Sequence, residues 1–214
     1  MKRKNPMRNR IHRAALLLAA GCLAVPAFGA DNGAAARYED PTSAGEVRGI
    51  GVESQDIVTV SDLMVRDILA DPDMVQKDRA PRIIMDAEFF KNESTQRINK
   101  NLIVDRLRVA LQRSSRGKLV FVSRESAAMV AGERYLKRDG VVDVGTTGLT
   151  KAQAGADYRL VGRISTLDSR SGSTGSVERY TQMSFELIDL ESGVSQWANQ
   201  YEFKKSGRDD AIYR

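Results

Sequence analysis

Three stretches between Tyr158 and Lys205 put their side chains into two alternating rows, and this feature limits the fold more than any other. Tyr158, Leu160, Gly162 and Ile164 alternate with Arg159, Val161, Arg163 and Ser165. Met183, Phe185 and Leu187 alternate with Gln182, Ser184 and Glu186. Trp197, Tyr201 and Phe203 share one parity, and Gln196, Ala198, Gln200, Glu202 and Lys204 share the other. Successive side chains of a strand point to opposite faces, so the pattern demands three half-buried strands. The Ser-Gly-Ser-Thr-Gly-Ser run at 171–176 reads as a hairpin tip, and Asp189–Gly193 as a tight turn with glycine at the strained position. The product is an antiparallel meander with one apolar face that needs a cover.

Upstream segments supply the cover. Ser54–Ala70 reads as a helix with Ile57, Val60, Met64 and Ile68 on one stripe, Ser54 or Asp56 as its cap and Pro72 as its stop. Arg82–Phe90 reads as a strand with Ile83, Met85, Ala87 and Phe89 on one face. A second helix opens at Asn99 or Asn101 and runs to about Ser114, with Ile103, Leu107, Ala110 and Leu111 as its apolar stripe. Lys118–Ser123 reads as a strand. Ser123 caps a third helix from Glu125 to about Lys137, with Ala128, Met129 and Tyr135 as its contacts. Residues 139–148 read as loop and Thr150–Ala154 as a short helix. The order predicts an α+β fold, a mostly antiparallel four- to five-stranded sheet with helices packed on it.

The start of the chain is an address. Lys2, Arg3, Lys4, Arg8, Arg10 and Arg13 precede an apolar run from Ala14 to Val25, and small residues follow through Ala30. This is the layout of a secretory signal over residues 1–30. The apolar run is about 12 residues, short of the roughly 20 that span a bilayer. Two processing routes are open. Ordinary cleavage near Gly29 or Ala30 removes Cys22; lipoprotein processing at Ala19-Ala-Gly-Cys22 leaves Cys22 as the lipidated first residue. Residues 31–47 lack any period and read as a disordered lead, reaching at most about 60 Å at roughly 3.5 Å per residue. A single globular domain follows, over residues 48–214.

Removal of the signal changes the electrostatics. Six of the 33 lysines and arginines, and none of the 28 acids, lie in residues 1–30. That leaves 27 bases against 28 acids, a net charge of −1, so the basic balance of the whole chain is no argument for a nucleic-acid partner. His12 is the only histidine and Cys22 the only cysteine. Without them the chain has no imidazole general base, no thiol nucleophile, no disulfide and no usual zinc ligand set. No cofactor is expected, and contact with a membrane only through a lipid on Cys22.

The run from Asp157 through Gly-Arg-Ile-Ser at 162–165, Glu-Leu-Ile-Asp-Leu-Glu-Ser-Gly at 186–193, Trp197 and Tyr-Glu-Phe-Lys-Lys at 201–205 resembles the penicillin-binding-protein activator family LpoB. That family's globular domain is similar to the N-terminal domain of TolB, and the resemblance covers residues 48 to 214. It implies a non-enzymatic periplasmic activator of a bifunctional class A penicillin-binding protein, supporting peptidoglycan synthesis from the periplasm or the outer membrane. The short lead departs from the long tether of the family, which keeps a second role in view: an envelope scaffold of the same fold with no effect on synthesis.

Several residues invite a chemical role and a plainer one. Asp86 and Glu88 share strand parity, and Glu186 stands near Asp189; both pairs read as solvated sheet carboxylates rather than an acid–base pair. Ser123 and Lys137 lack the Ser-x-x-Lys spacing. Gly49-Ile-Gly51 lacks the third glycine and the preceding strand of a dinucleotide loop. Trp197, the only tryptophan, reads as core rather than interface anchor. Arg159, Arg163, Arg179, Lys204 and Lys205 are the candidates for a partner face gathered on one side of the sheet, with a solvated sheet face as the alternative.

Overall fold

A computed structural model describes residues 36–45, 48–76 and 78–207. The expected signal over residues 1–30, with His12 and Cys22, and the first part of the expected lead lie outside the described residues. The chain divides into two compact units, 1–38 and 39–214. Of the first, only residues 36–38 are described, and they are exposed and irregular. All the described helices and strands belong to the second.

Helix α1 is Ser54–Ala70. Its cap is Glu53, one residue before the expected position. The Glu53 carboxylate accepts from the backbone of the first turn, and Asp56 accepts from the Glu53 N–H at 2.8 Å, a reciprocal box that satisfies two orphan donors. Val60, Met64, Val65 and Ile68 are buried, and Ser61 joins them because its hydroxyl donates to the Ile57 carbonyl at 2.6 Å. Pro72 does more than stop the helix. Asp71 accepts from Asp73 N–H at 2.8 Å and caps the short helix α2, Pro72–Val75, with proline at the position where a missing N–H costs nothing.

The expected strand Arg82–Phe90 is interrupted. It forms β1, Arg82–Ile84, and β2, Phe90–Asn92, and both pair with the same edge of β4, Tyr158–Arg170. Ile84 lies opposite Arg159 and Phe90 opposite Gly162, so six steps of one chain match three of the other. The surplus turns out at Ala87–Phe89, where Asp86 accepts from Glu88 N–H and Ala87 C=O accepts from Phe90 N–H, both at 3.3 Å. The detour reverses parity, so Phe90 is buried and Phe89, expected inside, is exposed.

Helix α3, Lys100–Ser114, opens at Asn99, whose side chain accepts from Asn101 N–H, and buries Ile103, Val104, Leu107 and Leu111. Strand β3 is only Val120–Phe121, and helix α4 is Ala127–Arg138. The expected helix at Thr150–Ala154 is absent, because Arg134 and Arg138 of α4 hydrogen-bond the Thr150 carbonyl and hold that segment in an irregular course. The meander is as expected: β4, β5 (Val177–Asp189) and β6 (Ser195–Gly207) pair antiparallel. The sheet order is β3-β1-β4-β5-β6, with β2 beside β1 on β4 and the short strands parallel to their neighbours. The α+β class and the mostly antiparallel sheet stand; the strands among the described residues number six because the expected strand at 82–90 is cut in two.

One side of this sheet is the core. Leu160, Ile164, Met183, Phe185, Leu187 and Trp197 face α1 and α3. Phe90 packs on Phe185, ring centres 5.7 Å apart, and Phe185 on Tyr201 at 6.0 Å. Trp197 is core, and its indole N–H donates to Asp67 of α1 at 3.0 Å. Helix α4 lies on the other side. The chain runs β1–α3–β3 outward through the sheet and β3–α4–β4 back across it. A common right hand for parallel crossovers then puts the two helices on opposite faces. Accordingly, Val130 and Arg134 of α4 border one groove with Arg82 and Val120, which are out of phase with the core residues Ile83 and Leu119.

Candidate partner-binding face

The face of the meander away from α1 and α3 is the candidate site, and register decides which residues reach it. Strand β4 pairs with β5 so that even positions of one lie beside odd positions of the other: Leu160 beside Leu187, Asp168 beside Arg179. Strand β5 pairs odd with odd against β6 over most of its length, Arg179 beside Lys205 and Met183 beside Tyr201. The open face therefore carries Arg159, Val161, Arg163 and Ser165 of β4, Tyr180, Gln182, Ser184 and Glu186 of β5, and Gln200, Glu202 and Lys204 of β6.

Three of the five expected cations, Arg159, Arg163 and Lys204, lie on this face. Arg179 and Lys205 do not, and the expectation of one gathered set is corrected. Both hold odd positions, the parity of the apolar row, so both turn toward the helices. Arg179 is buried and grips Asp168 with two bonds of 2.7 and 2.6 Å. That grip holds the Asp168 carboxyl below its ordinary value. Lys205 donates to Asp56 at 2.6 Å, Glu53 at 3.2 Å and the Gly51 carbonyl at 3.0 Å, joining the end of β6 to the start of α1.

On the open face the charges are paired across short distances. The Arg159 guanidinium reaches Asp86 at 3.4 Å and Glu88 at 3.6 Å, and lies 4.5 Å over the Phe89 ring. Arg163 meets Glu93 at 3.6 Å and Lys204 meets Glu178 at 3.2 Å, both pairs well exposed. Tyr180 donates to Glu202 at 2.6 Å, which raises the pKa of the phenol. Exposed pairs of this kind contribute little stability, about 0–1 kcal/mol each; they leave a polar, rearrangeable surface. A shallow concavity bordered by Phe89, Lys91, Arg163, Gln182, Ser184 and Glu186 occupies its middle.

The chemical alternatives do not assemble. Asp86 is buried, not solvated as expected, and shares Arg159 with the exposed Glu88, so the two carboxyls belong to one ion-pair cluster. Asp189 accepts from Glu191 N–H, Ser192 N–H and the Ser192 hydroxyl in the turn, while Glu186 stands on the sheet. Ser123 bonds Ser126 and Lys137 pairs with Glu133. Gly49 N–H donates to the Glu53 carboxylate at 2.7 Å, the role of a helix entry. Among the described residues no three metal-ligating side chains cluster, and no helix is long and apolar enough to cross a membrane.

Sequence reasoning missed two features: Phe89 as an exposed ring, and α4 as a helix that turns its apolar arc outward. Ala128, Met129, Gly132, Tyr135 and Leu136 fall on one side of α4 at helical spacing. Met129 is 70% and Tyr135 66% exposed, and no residue of this helix is buried. Met129 and Tyr135, expected as core contacts, face solvent.

Comparison with known proteins gives this surface its context. The family described as peptidoglycan-synthase activator LpoB matches residues 56–203, from the first turn of α1 to near the end of β6. The chain belongs to the LpoB family. The family match spans both helices of the core, the meander and the open face. Among solved structures, the chain is similar to the LpoB C-terminal domain from Escherichia coli, at 17% identity and TM-score 0.40, covering 69% of this chain and 98% of that one. It is also similar to the LpoB C-terminal domain from Salmonella enterica, at 19% identity and TM-score 0.37, covering 65% and 94%. No curated protein matches the chain.

Proposed function

We propose that this protein is a non-enzymatic activator of a bifunctional class A penicillin-binding protein, acting in the periplasm through the open face of its sheet. The observation that carries the reading is the family match over residues 56–203. The open face supports it: exposed, paired charges around an accessible Phe89 ring suit a partner that exchanges ion pairs on docking. Arg159, Arg163 and Lys204 are the cations of that contact; Arg179 and Lys205 keep the fold. Activation needs only a preference for the active state of the synthase, and about 1.4 kcal/mol shifts such an equilibrium tenfold. Residues 1–30 direct export, residues 31–47 form the lead, and residues 48–214 make the contact. The protein is soluble in the periplasm, or held at the outer membrane by a lipid on Cys22; the mass of the exported chain decides between them.

The test is to titrate the purified protein into the ectodomain of each bifunctional synthase and then follow glycan polymerisation and cross-linking. Saturable binding with a faster rate supports the reading, as does the absence of turnover by the protein alone. Turnover without a synthase refutes it. Binding without stimulation makes the protein an envelope scaffold instead.

A further inference from the structure

The groove between α4 and the edge of the sheet has a chemistry the open face lacks. Strand β3 is an edge strand, with β1 on one side only. Val120 N–H and Val122 N–H point inward, donating to the carbonyls of Pro81 at 3.0 Å and Ile83 at 2.9 Å. Backbone groups alternate along a strand, so the N–H and C=O of Phe121 point outward. Residues 120 to 124 border the groove in unbroken succession, both parities included, which puts the backbone itself along it. The rest of the wall is Val130 and Arg134 of α4 with Thr150 and Ala152–Ala154 of the chain that follows, and Arg134 donates to the Thr150 hydroxyl at 2.8 Å and to the Thr150 and Lys151 carbonyls. Arg82, Arg124 and Arg134 border the groove and no carboxylate does. Among the described residues no acid lies in ion-pair range of these three.

We propose that this groove binds an extended acidic segment of a partner protein, which adds to β3 as a further strand. An unpaired edge offers the main-chain bonds, the apolar Val120 and Val130 take alternate side chains, and Arg82 and Arg124 select acids, while Arg134 holds the Thr150 segment and adds its charge. The site is separate from the open face and does not depend on the synthase reading.

The probe is a blocked hexapeptide, Glu-Val-Glu-Val-Glu-Val, titrated into the isotope-labelled full-length protein and followed by amide shifts and hydrogen exchange. Saturable shifts are expected at Leu119–Arg124, with new exchange protection at Phe121 N–H. The lysine counterpart of the peptide should bind at least about tenfold more weakly, a difference of about 1.4 kcal/mol. Arg124→Glu should reverse that preference. Methylating one alternate set of peptide nitrogens should abolish binding, and methylating the other set should spare it, because only one set faces β3. Equal affinity for both peptides overturns the proposal, as do shifts confined to the open face, indifference to methylation, or no binding at millimolar peptide.

Discussion

A methyl group at position 162 would stand 2.3 and 2.5 Å from two carbons of the Phe90 ring. The ring lies over the glycine and the Ser184 carbonyl closes the space at 3.2 Å, so neither neighbour can yield cheaply. Gly162→Ala should therefore destabilise the protein by about 1–3 kcal/mol in urea titration. Tyr201 is the opposite case. Its ring packs on Phe185, yet its hydroxyl has no hydrogen-bond partner among the described residues. Burial, aided by the Asp67 charge, pushes the phenol pKa above its ordinary value. A raised folded pKa means the stabilisation is complete below about pH 10 and is lost as pH rises beyond it. Tyr201→Phe should change stability at pH 7 by less than about 1 kcal/mol. It should also flatten the alkaline decline of the unfolding free energy; an unchanged slope would locate that decline elsewhere.

Between elements, Asp67 is the clamp. One carboxylate oxygen of α1 accepts from the Trp197 indole at 3.0 Å and the Asn199 amide at 2.7 Å, both on β6. Without it, two donors near the core face lose their acceptor. Asp67→Ala should cost about 2–3 kcal/mol, read by Trp197 fluorescence during denaturation. Much at this scale was legible beforehand. Asn99, one of the two expected openings, caps α3, and the buried Val60, Met64 and Ile68 of α1 follow from their spacing. The break at Met85–Phe89 did not, because Ile83, Met85, Ala87 and Phe89 fit a continuous strand. Only the partner strand, pairing 84 with 159 and 90 with 162, shows that the chain is too long for the gap.

For the molecule as a whole, the two sides of the sheet answer differently to loss of charge. Arg163→Ala, on the open face, should change stability by less than about 0.5 kcal/mol while weakening synthase binding. Lys205→Ala, on the helix side, should cost about 2 kcal/mol in a thermal or chemical melt, because it leaves Glu53 and Asp56 without their cation. Equal effects would mean that the faces are misassigned. The division itself was partly readable: Arg179 and Lys205 carry the parity of Met183 and Phe203, and that parity alone separates them from Arg159 and Lys204. The meander, its apolar row and the two helices that cover it could be read from the chain alone, because periods of 2 and 3.6 are local properties of it. The tertiary structure alone decided which way α4 faces. An apolar arc on a helix says that something covers it, but not what, and here the crossover from β3 to β4 carries α4 to the far side of the sheet, where Met129 and Tyr135 stay mostly exposed.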